Sequence, residues 1–306
     1  MGNMPTDLPE STPRLARLQA CMESRYRLTR ELVPRAVETF GPAWAEDFEA
    51  VLADLFPDDP SLEAALRGYV AFALDSMRRQ KSFERSREYP KKSYAEAAVE
   101  VYLNEAHMLG EYLPGLLLSH FLWPHHYRQL QFFEAAFLAP MKLARYCRFA
   151  EVGIGTAVYS RRILASVADS TGSGFDISTS SCAFARRHLE ASGSGHRFRI
   201  NLRDVIANPI DPIAWLVCVE VLEHLEDPVQ FLVALRRGLA TGGRAFITAA
   251  LNAAHADHIY LYRTAEDVWA HLESAGFRLE QSFVAAAYAP PAPGVPVPLL
   301  AAFVVY

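Results

Sequence analysis

A series of acidic residues sits where short apolar runs end, and the first of them precedes a glycine turn. The stretch FAEVGIGTAVYSRRIL (149–164) runs through Glu151, reverses at Gly153 and Gly155, and enters a helical pattern. Gly153 permits a tight reversal, and Gly155 lets the backbone approach a ligand closely. The first N–H groups of the following helix have no intrahelical partners and face electronegative ligand atoms. A turn of this kind alone also suits a dinucleotide site or a generic strand-to-helix connection. Downstream, GSGFDIS (172–178) ends a second apolar run in Asp176, a carboxylate able to hold two ribose hydroxyls. RDV (203–205) places Asp204 at a third such end, and AWLVCVEVLEHLEDP (214–228) places Glu220 at a fourth, followed by Glu223 and His224. These are the positions where ligands sit in open α/β sheets.

Two further clusters carry polar chemistry. LNAAHADHIYLYRTAEDV (251–268) holds Asn252, His255, His258, Tyr260, Tyr262 and Arg263. Asn252, His258, Tyr262 and Arg263 are candidate substrate contacts, and Tyr260 a candidate catalytic group. The alternation of Ile259 and Leu261 equally fits a small packed strand. SHFLWPHHYRQLQFFE (119–134) offers His126 and Tyr127 as substrate contacts in an aromatic lid; the alternative is a helix packing on the sheet with histidines at its surface. No metal site is expected at His120, His125 and His126, because adjacent histidines lack the i, i+4 placement that puts two ligands on one helix face. His224 is the candidate general base by position, with a structural role beside Glu220 or Glu223 as the alternative.

The elements that must position these residues have two textures. Residues 1–140 read as a helical N-terminal region. Segment 14–40 has near-helical apolar spacing, Ser61 is an expected N-cap, and Ser93 with Glu96 forms a capping-box pattern. Pro124 suits the first turn of a helix reaching Phe137. Residues 141–306 alternate strands and helices, which indicates a mostly parallel sheet. Strands are expected near 148–152, 172–176, 197–201, 214–219 and 243–249. The pair 277–288 and 298–305 forms an antiparallel edge hairpin, and Thr264 with Asp267 caps the preceding helix.

With the motifs in this order, residues 148–250 resemble class I S-adenosylmethionine (SAM)-dependent methyltransferases, especially the ubiquinone-methyltransferase-like branch. EVGIGTA resembles the acidic-x-Gly-x-Gly-x-Gly motif with Ala157 in the third glycine's place. FDIS resembles the strand-2 acid motif, and VEVLEHLEDP followed by GLATGGRAFIT resembles the segments around strands 4 and 5. The resemblance implies an α/β fold: a Rossmann-like seven-stranded, mostly parallel sheet with an antiparallel C-terminal strand, plus the N-terminal helical lid. It implies SAM as cofactor, with Glu151, Gly153 and Gly155 beside the methionine moiety and Asp176 on the ribose. Asp204 and Val205 would frame the adenine, and Glu220 and Val221 would line the sulfonium side. Ile177, Val205 and Val221 also read as core positions.

Composition bounds the function. The net charge of −5 gives no general attraction for nucleic acid or anionic lipid, and the basic run Arg78–Lys92 fits a solvated helix face. Four scattered cysteines suggest a reducing, cytoplasmic setting. No apolar stretch is long enough to span a membrane. MGNMPT matches a loose N-myristoylation pattern, read as chance outside a eukaryote. The leading expectation is methyl transfer to a small molecule in specialised metabolism, with the helical region as lid or homodimer interface. The same fold resembles enzymes that move SAM's aminocarboxypropyl group or cyclise SAM to azetidine-2-carboxylate with release of methylthioadenosine. A non-catalytic SAM-fold partner protein is the third expectation.

Overall fold

The computed structural model describes residues 8–144, 147–292 and 294–306, so the MGNMPT pattern lies outside the described residues. Segment 14–40, with its near-helical apolar spacing, forms two helices, α1 (Pro13–Arg25) and α2 (Leu32–Phe40). Pro34 is the reason: it cannot donate to the carbonyl four residues back, and its ring would clash there, so the helix restarts around it. Next come α3 (Pro42–Leu55) and the long α4 (Asp59–Ser86). The N-cap of α4 is Asp58, whose carboxylate accepts the Ser61 N–H at 2.8 Å; Ser61 sits inside the first turn, contrary to expectation. Pro60 fills a first-turn position that needs no N–H.

The Ser93–Glu96 capping box opens α5 (Tyr94–Ala97). A π-turn (Ala98–Tyr102), α6 (Glu105–His107) and a second π-turn (Met108–Tyr112) lead into α7 (Leu113–Leu122). Pro124 begins α8 (Pro124–Phe133), which passes through a third π-turn (Glu134–Leu138) into α9 (Ala139–Lys142). Such turns are often found at functional sites. Here the first two end in Tyr102 and Tyr112, both of which reach the site described below.

The remainder alternates as expected: β1 (Arg148–Val152), α10 (Val158–Ser166), β2 (Thr171–Asp176), α11 (Thr179–Ala191), β3 (Phe198–Leu202), β4 (Ile213–Cys218), α12 (Pro228–Arg237), β5 (Leu239–Leu251), α13 (Ala265–Ser274), β6 (Leu279–Ala286) and β7 (Leu299–Val305). The strands form one seven-stranded sheet in the order β3-β2-β1-β4-β5-β7-β6, with β7 antiparallel to both its neighbours. Within the hairpin the apolar β7 takes the inner place beside β5, because it is buried along nearly its whole length. β6 carries the exposed Glu280, Gln281 and Ser282 and forms the edge. β5 starts before the expected 243: Leu239 pairs with Ile213, and Arg244 pairs with Trp215. The intervening residues bulge at Gly242, whose φ of 74° suits glycine.

One hydrophobic core joins the helices to one face of the sheet. Phe133 lies 5.0 Å from Phe246 and 4.9 Å from Tyr159, ring centre to ring centre, and Phe137 lies 5.3 Å from Trp215. A second core under α12 and α13 covers the other face. The helical region is therefore seated on the sheet by packing, which places Tyr102, Tyr112 and Trp123 at the cavity beside the strand ends. Replacing Phe133, which is fully buried, with alanine should cost about 3–5 kcal/mol in chemical denaturation, with little change in the slope of the transition.

Candidate active site

The β1–α10 turn is built for close approach. Gly153 has φ 71°, and a Cβ there would stand 2.4 Å from Val221 Cγ2; Gly155 has φ 48°. Ala157, in the third glycine's place, also adopts a left-handed conformation at φ 60° and is fully buried. That conformation costs a non-glycine residue roughly 1–2 kcal/mol, and the small side chain lets it fit. Glu151 is 3% exposed and accepts hydrogen bonds from the Ser160 backbone N–H (2.9 Å) and hydroxyl, so it also binds the start of α10. Burial pushes its carboxyl up to about 8, partly offset by the Ser160 bonds.

Asp176 ties this turn to β2. Its carboxylate accepts from Gly155 N–H at 3.1 Å and Ser178 N–H at 2.8 Å. Burial raises its pKa, and these donors oppose the rise. Beside it Ile177 is 52% exposed, although apolar, and faces the same cavity. That exposure removes its core reading and marks a surface a flat apolar ligand would cover. Val205 is buried, Val221 is half-buried, and both line the cavity, as does Asp204, which caps its own loop by accepting from Ile206 N–H at 2.8 Å. Glu220, at the end of β4, is held in a left-handed conformation (φ 51°) by Thr248: its N–H donates to the threonine hydroxyl, which donates to its carboxylate at 2.7 Å. Strain of this kind collects at functional sites.

These groups border a cavity of about 1260 Å³ that continues under the helices, past Phe72, Leu116 and Trp123. His224 and His258 line it beside the end of β4, with ring centres 4.9 Å apart. Behind them Asp257 is fully buried and accepts from Tyr102 (2.8 Å) and Tyr112 (2.7 Å), fastening the lid segment to the loop after β5. Burial alone would raise the Asp257 carboxyl, but His224, His258 and Tyr112 outweigh it and hold it well below the carboxylate range. Tyr94 also lines the cavity, its phenol pushed up by burial and by the Asp176 and Asp204 carboxylates. His126 lines the cavity as well; burial keeps its imidazole well below its usual pKa.

The other candidates are placed elsewhere. Tyr262 is fully buried, with its hydroxyl at 2.9 Å from His271, and Tyr260 lies 3.4 Å from the same imidazole; neither lines the cavity. Arg263 is exposed and donates to the Arg87 carbonyl. Asn252 (φ 50°) donates to the Arg263 carbonyl at 2.7 Å and shapes that turn. Tyr127 packs against Phe40 and lies 3.3 Å from Asp47, outside the cavity. Asp257, Thr248, Phe72 and Trp123, which sequence reasoning did not select, are part of the site or its walls. Asp257 alone had a visible signal, an acidic residue between two histidines.

The residues fit SAM: Gly153 and Gly155 would leave room for its methionine end, Asp176 would hold its ribose, and the exposed Ile177 would cover its adenine. A methyltransferase-domain family model matches residues 150–245. The mitomycin 7-O-methyltransferase MmcR aligns over 95% of this chain and 94% of its own, with 15% identity and a TM-score of 0.55, which shows a common fold that includes the helical region. A SAM-dependent methyltransferase from Thiobacillus denitrificans, solved with S-adenosylhomocysteine, covers 58% of this chain and 98% of its own at 15% identity and a TM-score of 0.44. No curated protein matches the sequence significantly. No helix among the described residues is long and apolar enough to cross a membrane.

Two outcomes are expected. Asp176→Ala should weaken SAM binding, measured by calorimetry, by about 1.5–3 kcal/mol through loss of charge-assisted hydrogen bonds. Because the folded pKa of Glu151 is raised, its contribution favours the folded state at low pH and is lost as pH rises from about 4.5 to about 8. The melting temperature of ligand-free protein should fall across that window, and less so in Glu151→Gln.

Proposed function

We propose, from the premise that this chain belongs to the class I SAM-dependent methyltransferase superfamily, that it methylates a small molecule enclosed beneath its own helical lid. The observation that carries this reading is the depth and apolar lining of the cavity, which extends from the β1–α10 turn into an aromatic chamber walled by α4, α7 and the start of α8. A polymer would need an open, charged face instead. Bound SAM supplies a methyl group already activated by its sulfonium. The chain's own task is to align the acceptor and exclude water. Phe72 and Trp123, stacked at 5.8 Å, form the apolar wall, and Tyr102 and Tyr112, bonded to Asp257, keep the lid shut.

His224 is the group suited to an acceptor's proton. Its Nδ1 lies 3.1 Å from the Asp257 carbonyl, which can only accept, so Nδ1 carries the hydrogen and Nε2 keeps its lone pair. The same Nδ1 lies 3.4 Å from the Asp257 carboxylate, which helps fix the ring's orientation.

The second reading is intramolecular use of SAM, favoured by Tyr94, Tyr102 and Tyr112 closing over the cofactor end. There the α-amine would bond to the γ-carbon as the carbon–sulfur bond breaks, releasing methylthioadenosine and a proton. Incubation of pure protein with SAM separates the two. Methylthioadenosine formed without an acceptor overturns methyl transfer; S-adenosylhomocysteine formed only with an added acceptor overturns cyclisation. Under the first reading, His224→Ala should lower kcat by roughly 10²–10⁴-fold with SAM affinity nearly unchanged.

A further inference from the structure

Glu223 is fully buried, yet neither carboxylate oxygen has a hydrogen-bond partner of acceptable geometry. The backbone N–H groups of Glu223 and Ala250 and the Glu220 carboxyl are its nearest polar neighbours. An ionised carboxylate left in this state costs several kcal/mol. The side chain faces the cavity, and one of its oxygens lies within 4.8 Å of a ring nitrogen of His224 and one of His258, which are equally close to each other. Among the described residues, no lysine, arginine or histidine forms an ion pair with Glu223; the His224 imidazole instead lies 3.4 Å from the Asp257 carboxylate.

The histidines are set in a particular tautomer. His258 Nδ1 lies 2.7 Å from the Ala253 carbonyl, and His224 Nδ1 lies 3.1 Å from the Asp257 carbonyl. A carbonyl only accepts, so both Nδ1 atoms carry hydrogen and both Nε2 atoms keep a free lone pair. Committing one ring nitrogen to a carbonyl in this way is how metal-binding histidines are oriented.

We propose that Glu223, His224 and His258 form a binding site for a divalent first-row transition-metal ion. Two imidazoles and one carboxylate favour zinc, manganese, cobalt or iron(II) over magnesium or calcium, which prefer all-oxygen sets. Ligand bonds near 2.1 Å put tetrahedral donors about 3.4 Å apart, so atoms separated by up to 4.8 Å must each move inward by up to about 0.8 Å, which side-chain rotation supplies. Three protein ligands leave coordination positions open towards the cavity. If the chain methylates a hydroxyl, which rests on the reading above, the ion would bind the acceptor oxygen and lower its pKa. His224 would then act as a ligand in place of a free base. The binding itself does not depend on that reading.

The test uses full-length protein freed of metal with a chelator, in the absence of SAM. Cobalt(II) is titrated and followed by its visible absorption and by calorimetry, with magnesium as the contrasting ion. Expected is one cobalt per chain with histidine-coordinated absorption bands, a raised melting temperature, and binding at least tenfold weaker in both Glu223→Gln and His258→Gln. His196→Gln, an exposed site, should bind as wild type. Two variants guard against one that fails to fold, and circular dichroism checks each. Absence of cobalt binding in folded wild-type protein, or unchanged binding in folded Glu223→Gln and His258→Gln, overturns the proposal. Cobalt binding together with failure of any methyl transfer would sink the functional reading and leave the metal site standing.

Discussion

Glu151, Glu223 and Asp257 bury three carboxyls at the carboxyl end of one sheet, with Glu220 half-buried beside them, and each must be stabilised there. Glu151 uses the N-terminus of α10, and Glu220 uses Thr248. Asp257 uses two tyrosines from the lid, with His224 alongside. Glu223 alone has no such partner. Burial penalises each charge, so the fold tolerates the cluster only if cations or protons meet it when the site is in use. The sulfonium of SAM is one such cation, and the inferred metal ion is another.

The same bonds give the helical region its mechanical role. Tyr102 and Tyr112 sit at the ends of two π-turns, which re-aim the side chains of an otherwise regular helix, and both phenols converge on one carboxylate. Lys92 adds a bond from the lid to the Ala256 carbonyl. The lid is fastened to the loop that also carries His255 and His258, so the aromatic wall and the imidazole wall are positioned together. Packing of Phe133 and Phe137 on the sheet supplies the rigid base against which this fastening works.

Backbone geometry at the strand ends shows what the fold accepts in exchange for the site. Ala157, Glu220 and Asn252 all occupy left-handed conformations that glycine would adopt more cheaply. Ala157 and Glu220 flank the cofactor cradle. Asn252 turns the chain after β5, which brings His255, Asp257 and His258 back over the cavity. The strain is thus spent on aiming side chains rather than on regular structure.

The strand positions, the order of the acids and the caps at Ser93 and Thr264 were legible in the sequence, because each depends on neighbours a few residues away. Hydrophobic period, glycine turns and capping residues are local, and so Glu151, Asp176 and Glu220 could be placed at or just after strand ends before any fold was seen. The rest of the site was not local. Tyr260 and Tyr262 have the same residue types as lid tyrosines, yet they point at His271 on the far side of the sheet. Glu223 and His224 meet His258 across a gap of more than thirty residues, and Asp257 meets tyrosines from another layer. Local physics set which segments are strands and helices; only the packing of the helices onto the sheet decided which polar side chains share a cavity, because distance in the chain carries no information about that contact.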